Sequence, residues 1–125
     1  MSCALTIPQV VARTKTVTRR AVDTWATLSV GDELALIEKG MGLPKGARQV
    51  VLAHVTVTSV RVEPIGLLAS DVRYGRQEVA LEGFAGHDPA AGAEWWCRSH
   101  HVDWVDDEGR GGRALCRRIE WRYLP

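Results

Sequence analysis

Cysteine is scarce: Cys3, Cys97 and Cys116 form an odd set without a CxxC pair. That argues against a disulfide scaffold or a structural zinc site, and it makes a reducing cytoplasm the expected location. Long apolar runs are missing. None approaches the roughly 18 residues needed to span a bilayer, so no membrane partner is expected. The opening stretch, MSCALTIPQVVARTKTVTRR, puts its positive charge after the apolar residues, the reverse of a secretory signal. No GxGxxG follows a strand pattern to open a helix, and there is no lysine-bearing phosphate loop, which removes those two modes of nucleotide binding. His54, His87, His100 and His101 fall at no metal-ligand spacing with carboxylates or thiols, so no metal or other cofactor is expected. Repeats, low-complexity tracts and long linkers are also lacking. At 125 residues the chain is expected to form one domain over 1–125.

What is present is uneven. Thirteen arginines stand beside three lysines, a bias that suits a GC-rich bacterial or phage genome. The net charge is only +1, yet residues 1–22 carry +4, residues 110–125 carry +4, and the middle carries −7. If the two ends lie side by side, they form a basic face that attracts phosphate and is weakened by salt. The alternative is a set of charges scattered over a solvated surface.

The local pattern favours strands. Residues 8–14 suit a short helix opening at Pro8. Lys15–Arg20 (KTVTRR) is rich in β-branched residues and is expected to be extended. Gly31-Asp32 marks a turn, and ELALIEK (33–39) follows as a strand, with Leu34, Leu36 or Ile37 facing inward. GMGLPKG (40–46) is a loop. The strongest strand signal runs over 49–62, with apolar residues on both faces, which predicts a central or curved strand. Ser70 is the expected cap of a helix over about 71–82 that Gly75 weakens and Gly83 ends. A second helix is expected over 93–101, then a turn at 106–112 and a closing strand over 113–124. Strands outnumber helices, which sit between them without regular alternation. The expected class is α+β, or a small barrel.

The densest polar cluster is Lys15, Thr16, Thr18, Arg19 and Arg20. In an extended chain Thr16, Thr18 and Arg20 share one side, and Lys15 and Arg19 take the other. Two hydroxyls and three cations suit recognition of a phosphate or a polar ring edge. They also permit a threonine nucleophile activated by lysine. That role requires the lysine pKa to fall from ~10.4 toward neutrality, and a ~3-unit shift amounts to roughly 4 kcal/mol. Burial and neighbouring arginines push that way. The competing reading is an exposed basic edge strand that deters sheet-to-sheet pairing. Glu82 stands at a helix end, where it opposes the macrodipole, which hints at another use such as pairing with Lys15. Of the five tryptophans most are core candidates, and Trp104 is the expected exposed stacking platform.

The ordered set KTVTRR, LSVGDEL, VTSVRVEPIGLL, a helix ending EGF, WWCRSH and RRIEWRYL resembles the ASCH family, of the PUA-like superfold, over nearly the whole chain. The resemblance implies a small β-barrel with flanking short helices, and a groove where KTVTRR faces the EG helix, bringing Lys15, Thr18 and Glu82 together. Family members are associated with RNA or modified-base binding. One bacterial branch is a metal-independent amidohydrolase that removes acyl groups from N-acylated cytidine, and a ribonuclease activity has also been linked to the family. By that likeness Lys15 activates Thr18 as nucleophile, and Glu82 positions or protonates the leaving amine. This chain departs from the enzyme branch at the stretches 40–46, 74–77 and 102–112. It also carries Arg19 in place of an apolar residue and Gly83 in place of an amide. Three readings follow. The first is a nucleic-acid, nucleobase or nucleotide binder using Lys15, Thr16, Thr18, Arg19, Arg20 and Glu82. The second is a hydrolase using Lys15, Thr18 and Glu82. The third is an accessory domain that meets a protein partner through residues 110–123.

Overall fold

In the computed structural model, which describes residues 1–40 and 42–125, the longest element is the strand whose signal was strongest. This strand, β3 (Val51–Pro64), lies between β2 (Glu33–Ile37) and β4 (Leu115–Tyr123), and β1 (Val17–Ala21) pairs with the far side of β4. All pairings are antiparallel, in the order β1-β4-β3-β2. The sheet curls into a half-barrel, the α+β, PUA-like architecture expected. Of the loop expected at 40–46, Met41 lies outside the described residues.

Two register shifts shape the sheet. One falls between Leu36 and Ile37, and it lets two successive residues both be buried. The other falls between Val57 and Ser59. Strict alternation would put Arg61 on the face of Val55 and Val57; the bulge reverses this. Val60 instead pairs with Ile119 and packs on the core formed with Val55, Val57 and Trp121. Arg61 and Glu63 turn to the opposite face, beside Arg118.

That opposite face carries the later helices; the first packs on the Val55 core through Val10. After α1 (Ile7–Val11) at the N-terminal side, α2 (Leu67–Ser70), α3 (Val72–Leu81) and α4 (Pro89–Ser99) follow β3 in sequence. Ile65, Leu68, Ala93, Trp96, Cys97 and Cys116 form the second core between helices and sheet. The cap of α3 is Asp71, whose carboxylate accepts from Tyr74 N–H at 3.1 Å; Ser70 instead ends α2. α4 starts earlier than expected, because Asp88 caps it through Ala91 N–H at 3.0 Å and Pro89 suits its first turn. Among the described residues no helix is long and apolar enough to cross a membrane.

Residues 1–3 join the two edges of the sheet. Cys3 N–H donates to Ile37 O at 2.8 Å, and Ile37 N–H donates to Met1 O at 2.9 Å, alongside β2. From β1, the Arg20 guanidinium donates to Ser2 O at 2.7 Å. The edge strands are thereby bridged through one short segment, which covers backbone groups otherwise open to a foreign strand.

Gly75 is required where propensity alone disfavours it. A Cβ there would lie 2.0 Å from Leu68 O and 2.7 Å from the Pro89 side chain. α3 can cross α2 and α4 this closely only without a side chain. Gly75→Ala is therefore expected to destabilise by roughly 2–3 kcal/mol through overpacking, against the ~1 kcal/mol gain that helix propensity alone would give. Denaturant unfolding of the variant measures the sign.

Candidate functional site

The site is built where the chain entering β1 crosses the end of α3. Thr16 N–H donates to Leu81 O at 2.8 Å, and Lys15 Nζ donates to Glu82 O at 2.6 Å. Both acceptors are carbonyls at the C-terminal end of the helix, which need partners from elsewhere, and a cation suits the negative end of the helix dipole. Gly83 continues the turn at φ +97°, a conformation open to glycine, with Thr6 and Gln9 pressed against it. Tyr123 OH donates to the Lys15 carbonyl, and Trp121 N–H donates to Thr16 O at 3.0 Å, tying the same stretch to β4.

Lys15, Thr18 and Glu82 thus share one chamber of about 250 Å³, with Arg19, Arg20 and the segment Ser2–Thr6 around it. Thr16 is tied down through its backbone and does not line this chamber. A second chamber of about 530 Å³ adjoins it, floored by Ile65, Leu68 and Val79. Leu5, Arg19, Glu82, Phe84, Trp95 and Trp96 line both, so the two form one cleft with a polar end and an apolar end. Trp95 is 45% exposed on its wall, and His87 and His100 stand at opposite ends. Trp104, the tryptophan expected to be exposed, instead packs on the second core. Trp96 is buried and donates from Nε1 to Arg19 O at 3.2 Å.

The side chain of Glu82 pairs with Arg19, not Lys15. The Arg19 guanidinium reaches Glu82 at 3.0 Å, Glu63 at 2.5 Å and Glu78 at 2.6 Å, with its side chain 1% exposed. Arg118 binds Glu78 through two nitrogens, at 2.5 and 3.1 Å, and reaches Glu120 at 2.7 Å. Tyr74 OH donates to Glu63 at 2.8 Å and accepts from Arg61 at 2.6 Å. The basic chain ends do lie side by side, since Arg19 pairs with Arg118 and Arg20 with Arg117 across β1 and β4. However, Arg19 and Arg118 point into this acidic cluster, which takes those two cations out of any basic face. Glu63, Glu78, Tyr74 and Arg118 escaped the sequence reading. The only available sign was two glutamates in segments whose neighbours are apolar.

These contacts set the protonation states. Burial pulls the Lys15 ammonium down to about 8, assisted by Arg20 and opposed by Glu82 and Cys3. Burial pushes the Glu82 carboxyl up, with Arg19 and Lys15 opposing. For Glu63 and Glu78 burial acts upward too, but hydrogen bonds from Arg19 to both, from Tyr74 to Glu63 and from Arg118 to Glu78 outweigh it and hold them low. Three carboxyls around one arginine are therefore inequivalent, and the one facing the cleft keeps a proton most readily. The Thr18 hydroxyl has no hydrogen-bond partner among the described residues, although the residue is only 6% exposed.

Two expectations follow. Arg19→Met leaves three carboxylates without their shared cation and should destabilise by roughly 3–5 kcal/mol, read by denaturant unfolding at neutral pH. Lys15 binds its proton less tightly folded than unfolded, so its contribution to stability rises with pH between about 8 and the ordinary lysine value. The stability of Lys15→Met relative to the parent should therefore fall by about 3 kcal/mol between pH 7 and pH 10.5. An unchanged difference across that range would show that Lys15 titrates normally.

No family model matches the chain, and no curated protein matches it in sequence. Solved structures do match. A DUF984 protein from Enterococcus faecalis superposes with a TM-score of 0.62 at 13% identity, over 94% of this chain and 66% of that one. An ASCH domain from Lactobacillus crispatus superposes with a TM-score of 0.52 at 12% identity, over 95% of this chain and 70% of that one. This chain spans about two thirds of the length of each, and the likeness concerns the fold. The fold is ASCH-like, an α+β arrangement of the PUA-like kind.

Proposed function

We propose that the protein binds a nucleobase, free or as part of a nucleotide or nucleic acid, in the two-chambered cleft. The observation that carries this reading is the pairing of an aromatic wall with a polar end. Trp95 and Phe84 line both chambers, and the polar end offers Lys15 Nζ, the Thr18 hydroxyl and the Glu82 carboxyl. A flat heteroaromatic ring gains about 1–3 kcal/mol from stacking on one such side chain. Its edge groups need donors and an acceptor in a site shielded from water, and this trio supplies both kinds. The ASCH-like fold agrees with a ligand of this class.

A second reading rests on a different observation: a lysine held near 8 shares a chamber with an unpartnered threonine hydroxyl and a carboxyl whose proton affinity burial raises. Environments that bring an amine down and a carboxyl up toward the working pH in this way suit proton transfer in both directions. In an amidohydrolase, neutral Lys15 takes the Thr18 hydroxyl proton as Oγ bonds to the acyl carbon. The C–N bond then breaks, with Glu82 donating a proton to the leaving amine. Water afterwards cleaves the acyl-threonine ester. As a neutral amine, Lys15 can keep one N–H on the Glu82 carbonyl, 2.6 Å away, while its lone pair takes the proton.

Binding of the common nucleosides, followed by calorimetry, tests the first reading. Trp95→Ala is expected to weaken it by roughly 5- to 150-fold, the range that corresponds to loss of one stacking contact. Undiminished affinity in that variant would place the ligand elsewhere. For the second reading, release of acetate from N-acetylated cytidine should vanish in both Thr18→Ala and Lys15→Ala.

A further inference from the structure

The arginines of β1 are unequal. Arg19 is surrounded by carboxylates, whereas Arg20 has none within ion-pair distance among the described residues. Its one hydrogen bond, from a terminal nitrogen, goes to the neutral carbonyl of Ser2 at 2.7 Å, and its Nε is buried without a partner. Lys15, 4% exposed, likewise donates only to a neutral carbonyl, that of Glu82. Both cations line the polar chamber, and so does the free Thr18 hydroxyl. The one carboxylate of that chamber, Glu82, is engaged by Arg19 at 3.0 Å.

Removing a cation from water is costly unless an opposite charge accompanies it. Elsewhere in this fold the requirement is met: Arg19 and Arg118, both buried, have acidic partners. In the polar chamber it is unmet twice, by side chains that approach from β1 and from two residues before it. The donors left there are of three kinds: guanidinium N–H, ammonium N–H and hydroxyl. Such a set suits a tetrahedral anion with several acceptor oxygens, because charge-assisted bonds to separate oxygens can form together.

We infer that the Lys15–Arg20 end of the cleft is an anion subsite that takes the phosphate group of a nucleotide whose base occupies the aromatic end. The identity of the whole ligand rests on the nucleobase reading above; the anion subsite itself does not. Arg20 supplies the fixed charge, Lys15 a second charge, and Thr18 a neutral donor. Arg19 and Glu82 are the charged residues among those that line both chambers.

The experiment is calorimetry at neutral pH and low salt with four ligand sets: the common ribonucleosides, their 5′-monophosphates, a dinucleoside phosphate, and inorganic phosphate. A monophosphate is expected to bind at least tenfold tighter than its nucleoside. That advantage should be lost in Arg20→Gln and partly kept in Arg20→Lys. Inorganic phosphate should raise the Tm of the parent protein and leave Arg20→Gln unmoved. If Arg20→Gln does not fold, Lys15→Gln provides the same comparison. A dinucleoside phosphate that matches the monophosphate assigns the subsite to a backbone diester, and weaker binding assigns it to a terminal phosphate. Equal affinity for nucleoside and monophosphate, or an advantage that survives both glutamine variants, overturns the inference while leaving the base reading intact. Phosphate binding that depends on Arg20 without any nucleoside or nucleotide binding sustains the subsite and removes the base reading. No response to phosphate in any form removes the subsite.

Discussion

Arg19 lies between Glu63, Glu78 and Glu82, and most of the site geometry depends on that ion cluster. Its three acidic partners come from β3, from within α3 and from the residue that ends α3. One guanidinium therefore fixes the helix to the sheet and sets the orientation of Glu82, the carboxyl that lines both chambers. Arg118 repeats the attachment from β4 through Glu78. Buried ion pairs of this kind contribute little net stability compared with an apolar interface. What they provide here is geometry, because each carboxylate has one arrangement that satisfies it. Glu78 is 1% exposed at the centre of the helix face where an apolar residue would otherwise sit.

The cleft itself arises from crossing chain segments. The approach to β1 passes over the end of α3, so Thr16 and Lys15 occupy the carbonyls that the helix leaves open. The segment Ser2–Thr6 closes one side, anchored to β2 by backbone bonds and to β1 by Arg20. α4 supplies the aromatic wall. Because Trp96 is fixed by its bond to Arg19 O, neighbouring Trp95 is directed along the cleft. The same residues that complete the fold thus line the site, and this explains why Lys15 and Glu82 are both buried and electrostatically perturbed.

Several elements were legible from local pattern. The β-branched run at 17–21, the alternation over 51–64 and the capped helix over 72–81 all match their expected positions within a few residues. The likeness of KTVTRR and the EG helix to ASCH domains also anticipated that Lys15, Thr18 and Glu82 share a chamber. Other readings failed for identifiable reasons. Ser70 yielded the cap to Asp71 because a short separate helix precedes α3. Trp104 packs against the second core, and Trp95 takes the exposed position because helix phase places Trp96 inward. Strict alternation puts Arg61 on the wrong face, since a bulge leaves no clear mark in a run of β-branched residues.

Chemistry confined to neighbouring residues was readable along the chain: an extended basic stretch with two hydroxyls, an α+β order of elements, and a glutamate placed against its helix dipole. Pairing between distant charges was not. Which carboxylate meets Arg19, why Arg20 has none, and how one arginine from each basic chain end enters a buried acidic cluster all depend on strand register and helix crossing. Those are set by the bulge after Val57, by the close approach at Gly75 and by the curl of the sheet. Residue order specifies which ions exist, but their energies depend on distance and on exclusion of water, and only the folded chain determines either.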